Sequence, residues 1–229
     1  MQKRELVPGY KISPVIKGGW QLSAGHSLDK KIEDDRAIAD TTSFIEAGIT
    51  TLDFGDIYTG VEELIGKSIA KLRETHGDSA RDLVQLHTKY VPNEKFLDNF
   101  DRSDVKTIVT RSLSRLGSDF VDIWQIHAWD DATPLDDTLS ALDYAYTTGR
   151  ARYVGISNYS GWQIARAATK QQSNSMKAPL TTVQNEYSLL NRDVEVEVLD
   201  AAQECGVGFL AWAPLARGVL TGKYRKGVP

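Results

Sequence analysis

The sequence predicts an α/β fold of the (β/α)8 barrel type, with about seven of the eight strands present. Three observations carry this. Short apolar strands alternate with amphipathic helices along the whole chain. No G-x-G-x-x-G follows the first strand, which argues against a doubly wound dinucleotide-binding sheet. Polar residues gather at the ends of the predicted strands, where barrel chemistry collects.

The elements follow in order. Glu5–Ile12, punctuated by Pro8 and Gly9, suits a hairpin, and Pro14–Trp20 is the first strand. Helix Glu33–Ala47 stops at Gly48, a good helix terminator. Strand Ile49–Phe54 leads to helix Glu62–Glu74, where Thr59-x-x-Glu62 fits a capping box and gives Glu62 a structural role. Strand Leu83–Tyr90 precedes helix Asp104–Leu116, which ends at Gly117; Val105, Ile108, Val109, Leu113 and Leu116 share one face. Strand Phe120–His127, helix Leu135–Thr147, strand Arg152–Ser157 and helix Trp162–Lys170 continue the beat. Strand Leu180–Gln184, helix Val194–Glu204 and strand Val207–Ala213 complete it, and Pro214–Pro229 shows no further unit. Parallel strands with right-handed crossovers are expected. The reading is one barrel domain over residues 1–229, C-terminally truncated because such a barrel usually needs about 250 residues. A chain lacking the eighth strand is expected to keep unpaired strand edges and to be a poor enzyme on its own.

Composition narrows the function. A net charge of −4 offers no basic surface for nucleic acid or anionic membranes. The single cysteine, Cys205, cannot form an internal disulfide, which suits a reducing compartment. No apolar run approaches a membrane span, and the N-terminus lacks a secretory signal. A cytoplasmic protein is expected, and no metal site is assigned.

Asp53, Tyr58, Lys89 and His127 lie at or just beyond three strand ends. Gln85, His87 and Lys89 share one strand face, and Gln125 shares a face with His127. Taken singly, each has a bland reading. A loop tyrosine is commonly an amphipathic surface residue, a strand-end lysine solvated, an aspartate a turn former (as Asp56 is read here), and a histidine structural. Together they form a coherent set. A free phenol, with pKa near ~10, is a weak acid–base catalyst at neutral pH, and a nearby ammonium lowers that value. A carboxylate can hold the lysine, and a neutral histidine can orient a substrate oxygen. His26 and His87 border this region without a catalytic assignment.

GITTLDFGDIYTGVEELIGKSI, LHTKY and DIWQIHAWD closely resemble the aspartate–tyrosine, lysine and histidine segments of the aldo-keto reductase family. VGISNYS, VQNEYSLLNR and FLAWAPLARGVLTGK resemble its cofactor segments, and the resemblance runs from about Leu6 to the last residue. It implies an (α/β)8 barrel that moves a hydride between NAD(P)H and an aldehyde or ketone. Tyr58 is then the general acid/base, Lys89 and Asp53 tune it, and His127 positions the carbonyl. The resemblance further implies that Ser157, Asn158 and Gln184 bond the nicotinamide carboxamide and that Trp212 stacks on its ring. Ala213, Pro214, Leu215, Ala216 and Lys223 follow the pyrophosphate, and Gly19 and Trp20 touch cofactor and substrate. Ser157–Asn158 as a helix cap and Trp212 as core packing are the structural alternatives. Ala213 departs from a serine frequent in the family. The region that clamps a 2′-phosphate is not in this sequence, so NADP is expected from family habit and NAD stays open. The contrasting expectations are a cofactor-bound regulatory subunit with negligible turnover, of the channel-associated type the family includes, or an inactive fragment.

Overall fold

A computed structural model describes residues 1–23, 33–92 and 104–224. His26 and the last five residues of Pro214–Pro229 lie outside the described residues. Strands β1 (Arg4–Val7) and β2 (Tyr10–Ile12) form the antiparallel hairpin the sequence predicts. The main sheet follows. Its strands are β3 (Lys17–Gly18), β4 (Thr51–Asp53), β5 (Gln85–Tyr90), β6 (Val121–Ile126), β7 (Ala151–Ser157), β8 (Leu180–Glu186) and β9 (Gly208–Trp212). These seven strands are parallel and pair in sequence order. The crossover helices are α1 (Asp34–Glu46), α2 (Val61–His76), α3 (Val105–Leu116), α4 (Leu135–Thr147), α5 (Gly161–Ser173) and α6 (Val198–Glu204).

The sheet curls into an incomplete barrel. In a flat sheet, strands four places apart lie roughly 19 Å from one another. Yet Gln184 Nε2 of β8 donates to Asp53 Oδ1 of β4 at 2.8 Å, so the sheet bends until its two flanks meet side chain to side chain. Among the described residues, β3 and β9 stand at opposite ends of the strand order and do not pair with each other.

Two packing layers result from strand alternation. Leu52, Leu86, Trp124, Ile126, Val154, Ile156 and Val183 face outward against apolar residues of the helices, such as Ile65, Ile69, Leu113, Leu139 and Ile164, all buried. The inner face is unusually polar: Gln85, His87, Lys89, Gln125, Thr182 and Gln184 are all buried. It closes by hydrogen bonding as well as by apolar contact. Gln125 Nε2 donates to Thr182 Oγ1 at 2.9 Å, across β7. Only a glycine permits this, because a Cβ on Gly155 would collide with Thr182 Oγ1. The hairpin plugs the N-terminal ends of the strands. Ser13 and Thr51 exchange hydrogen bonds there, and the Tyr10 hydroxyl meets His87 Nε2 at 2.7 Å. His87 therefore bridges the hairpin plug and the rim, since in register it stands opposite Asp53 of β4.

Helix ends follow the predicted signals where those are local. Asp104 caps α3 by accepting from the Lys106 and Thr107 amides, and Gly117 ends it in a left-handed conformation. Four expectations are corrected. The first main-sheet strand is two residues long rather than Pro14–Trp20, since Pro14–Val15 bends the chain and Trp20 opens a 3-10 turn. The predicted helix Val194–Glu204 is split, because Glu197 leaves helical geometry to accept from the Gly161 amide at 2.9 Å. The capping box at Thr59–Glu62 does not form. Gly60 precedes α2 in a left-handed conformation, and the Glu62 carboxylate turns into the core. Ser157–Asn158 is not a helix cap, since Ser160 occupies the N-cap of α5 and its amide donates to Gln163 Oε1 at 2.8 Å.

Candidate active site

Every predicted strand-end residue of the site lies at the C-terminal rim of the sheet. Asp53 ends β4, Lys89 is next to last in β5, His127 follows β6, Ser157 ends β7, Gln184 lies late in β8 and Trp212 ends β9. At the centre is a charge pair. Lys89, only 1% exposed, places Nζ at 2.7 Å from both Asp53 oxygens and 2.9 Å from the Phe54 carbonyl. A buried ammonium needs this many acceptors, since desolvating it alone would be costly. Gln184 adds a further bond to Asp53. Because a carboxylate only accepts, Gln184 must turn Nε2 toward it, which leaves Oε1 as an acceptor for a donor group.

Tyr58 and His127 face each other across the rim, edge to face, with ring centroids 5.7 Å apart. Burial, then the Asp53 charge, holds the Tyr58 phenol well above its ordinary range. This is opposite in direction to the lowering expected from Lys89. Burial of the phenol decides the direction, while the ammonium donors are engaged by Asp53 and Phe54. Burial, then the Lys89 charge, pushes the His127 imidazole down to about 3, so the ring is neutral. Its Nδ1 is buried without a hydrogen-bond partner, a polar atom that a ligand in the site could satisfy.

Asn158 joins three rim segments. It adopts φ 59, and its Nδ2 donates to the His127 carbonyl at 2.9 Å while its Oδ1 accepts from Trp212 Nε1 at 3.0 Å. Ser157 Oγ donates to the Gln184 carbonyl at 2.8 Å. Trp212 is partly exposed and so is not core packing. Arg217, which the sequence reading passed over, places its guanidinium 5.9 Å from the Trp212 ring centroid. Residues 213–218 form an exposed arc in which Ala213, Ala216, Arg217 and Gly218 all have positive φ, and Lys223 packs beside Gly218. Gly19 donates to the Asp53 carbonyl at 2.8 Å, and Trp20 is 41% exposed beside it. Gln184's link to Asp53 was also missed, since no local pattern connects residues 131 positions apart.

A sheet of this topology with this rim of residues defines an α/β-barrel protein, and residues 14–229 match the Aldo/keto reductase family. The chain belongs to that family. It is 32% identical over 225 residues to the L-glyceraldehyde 3-phosphate reductase of Escherichia coli (strain K12), covering 96% of this chain and 63% of that protein. It is equally 32% identical over 227 residues to a probable voltage-gated potassium channel subunit beta of Arabidopsis thaliana (96% of this chain, 65% of that protein). Aflatoxin B1 aldehyde reductase member 4 of Homo sapiens shares 32% over 200 residues (86% of this chain, 58% of that protein). The chain thus spans 58% to 65% of the length of these relatives. Among the described residues, no helix is long and apolar enough to cross a membrane.

Proposed function

We propose that this chain carries the proton-donating centre of an NADPH-dependent oxidoreductase acting on aldehydes or ketones. The observation that supports it most is the Asp53–Lys89 pair buried beneath the rim that bears Tyr58 and His127. Tyr58 keeps its proton at neutral pH and donates it to the carbonyl oxygen as the carbon is reduced to an alcohol. Neutral His127 orients that oxygen from the facing side. Lys89, tied to the Tyr58 loop through Phe54, offsets the phenolate until solvent returns the proton. The residues fit a nicotinamide cofactor: Trp212 presents a partly exposed ring, Gln184 Oε1 an acceptor, and the 213–218 arc with Arg217 and Lys223 a cationic path for phosphates. When bound, that cofactor supplies the hydride.

The test is consumption of NADPH by the purified protein with a panel of aldehydes and ketones, set against Tyr58→Phe. Loss of a positioned general acid should lower kcat about 10²–10⁴-fold. A variant that keeps most of the parental rate would refute the assignment. The similarity to a channel beta subunit, equal in identity to that with the reductase, supports a second reading: cofactor binding with negligible turnover. NADPH binding without carbonyl-dependent oxidation would favour it.

A further inference from the structure

Glu62 is 1% exposed, and neither the sequence motif nor the chemistry above uses its carboxylate. Its Oε1 accepts from Thr88 Oγ1 at 2.9 Å, and its Oε2 lies 3.1 Å from Arg115 Nη1 of α3. Thr88 immediately precedes Lys89 in β5, and successive strand residues face opposite sides. The loop that bears Tyr58 therefore begins at one carboxylate and ends at another, and both grip β5. Asp53 holds Lys89 from inside the barrel, while Glu62 holds Thr88 from the helix layer.

The near end of the loop has further ties, since Phe54 N donates to the His87 carbonyl and Asp56 N to the Lys89 carbonyl, each at 2.9 Å. The far end is tied to the loop itself: Val61 N donates to the Tyr58 carbonyl at 2.9 Å. A shift of the first turn of α2 would therefore pull on the Tyr58 carbonyl while its amide stays tied to the Gly55 carbonyl at 3.0 Å. Glu62 hydrogen-bonds this turn to β5, beside the buried packing of Val61 and Ile65. Stability alone does not call for a buried carboxylate here, because an apolar replacement for a buried ion pair is often neutral or stabilising.

We infer that Glu62 is a positioning residue for Tyr58, setting where the phenol stands relative to the Asp53–Lys89 pair. The inference rests on the proposed proton-donor role of Tyr58. A displacement of the order of 1 Å at a reacting group is enough to cost about a hundredfold in rate.

The experiment compares Glu62→Ala, Glu62→Gln and Thr88→Val with the parent and with Tyr58→Phe. It follows kcat, carbonyl KM, NADPH affinity by calorimetry and thermal unfolding. Glu62→Ala should lower kcat about ten- to a hundredfold and leave NADPH affinity unchanged. Glu62→Gln keeps an acceptor for Thr88 and should recover most of kcat. Thr88→Val removes only the strand side of the staple, and should lower kcat beyond what the few degrees lost in unfolding temperature account for. A folded Glu62→Ala with parental kcat overturns the inference. So does a fall of kcat and cofactor affinity together, in proportion to lost folded protein. If Glu62→Ala does not fold, Thr88→Val decides, and parental kcat there overturns it. Full activity in Tyr58→Phe would instead overturn the functional reading itself, and this inference with it.

Discussion

Replacing Lys89 by Met tests the charge pair on which the site is built. Methionine nearly matches the lysine stem in volume and offers no donor, so three acceptors lose their partner: both Asp53 oxygens and the Phe54 carbonyl. Removing one member of a buried ion pair costs about 3–5 kcal/mol. The Asp53 side chain retains 15% exposure and one hydrogen bond from Gln184, which places the cost at the lower end, about 3 kcal/mol. For a chain of this size each kcal/mol lowers Tm by about 2–4 °C, so a fall of roughly 6–12 °C is expected. Circular dichroism melts of the parent, Lys89→Met and the double variant Asp53→Asn/Lys89→Met give the comparison. The double variant removes the stranded charge and should melt above the single one. A Lys89→Met melt indistinguishable from the parent would refute the reasoning. A double variant less stable than the single would refute it equally.

Three further outcomes follow from the same geometry. Trp212→Ala should weaken binding of NADP⁺ and NADPH about tenfold by calorimetry, since a stacking face is lost; unchanged affinity would remove Trp212 from the cofactor path. Burial pushes His87 down to about 4 while the unfolded chain titrates near ~6.5, so its contribution to stability is complete above that value and is lost as pH falls toward about 4. Urea unfolding across that window should show roughly 3 kcal/mol less stability at the acid end from this group alone, and His87→Gln should flatten the slope. Because burial keeps Tyr58 protonated, the reductive rate should not decline between roughly pH 6 and 9, and a descending limb near neutrality in the pH–rate profile would contradict this.

The parts of the fold legible in the sequence are those written with a short period. Alternation along LHTKY puts Gln85, His87 and Lys89 on one face, which the structure turns inward, and Gly117 marks the end of α3 by its own backbone needs. What escaped depends on contacts distant in the chain. Glu197 breaks a predicted helix because a glycine amide of α5 claims its carboxylate. Glu62 looks like a capping residue until Thr88 and Arg115 are brought beside it. The sign of the Tyr58 perturbation needed coordinates too. Charges alone suggest that a lysine lowers it, whereas burial of the phenol, and then the Asp53 charge, raises it.

The Asn158 amide, clasping the His127 carbonyl on one side and the Trp212 indole on the other, acts as a crosspiece between the segments that follow β6, β7 and β9. Its consequence is modularity. Segments beyond the crosspiece are relieved of holding the His127 backbone and the Trp212 indole in place, so they can be exchanged or lengthened while both keep their posts. Loop grafting is the direct test of that modularity. The graft to attempt first begins after Trp129, leaving the residues tied to Asn158 and the 213–218 arc untouched.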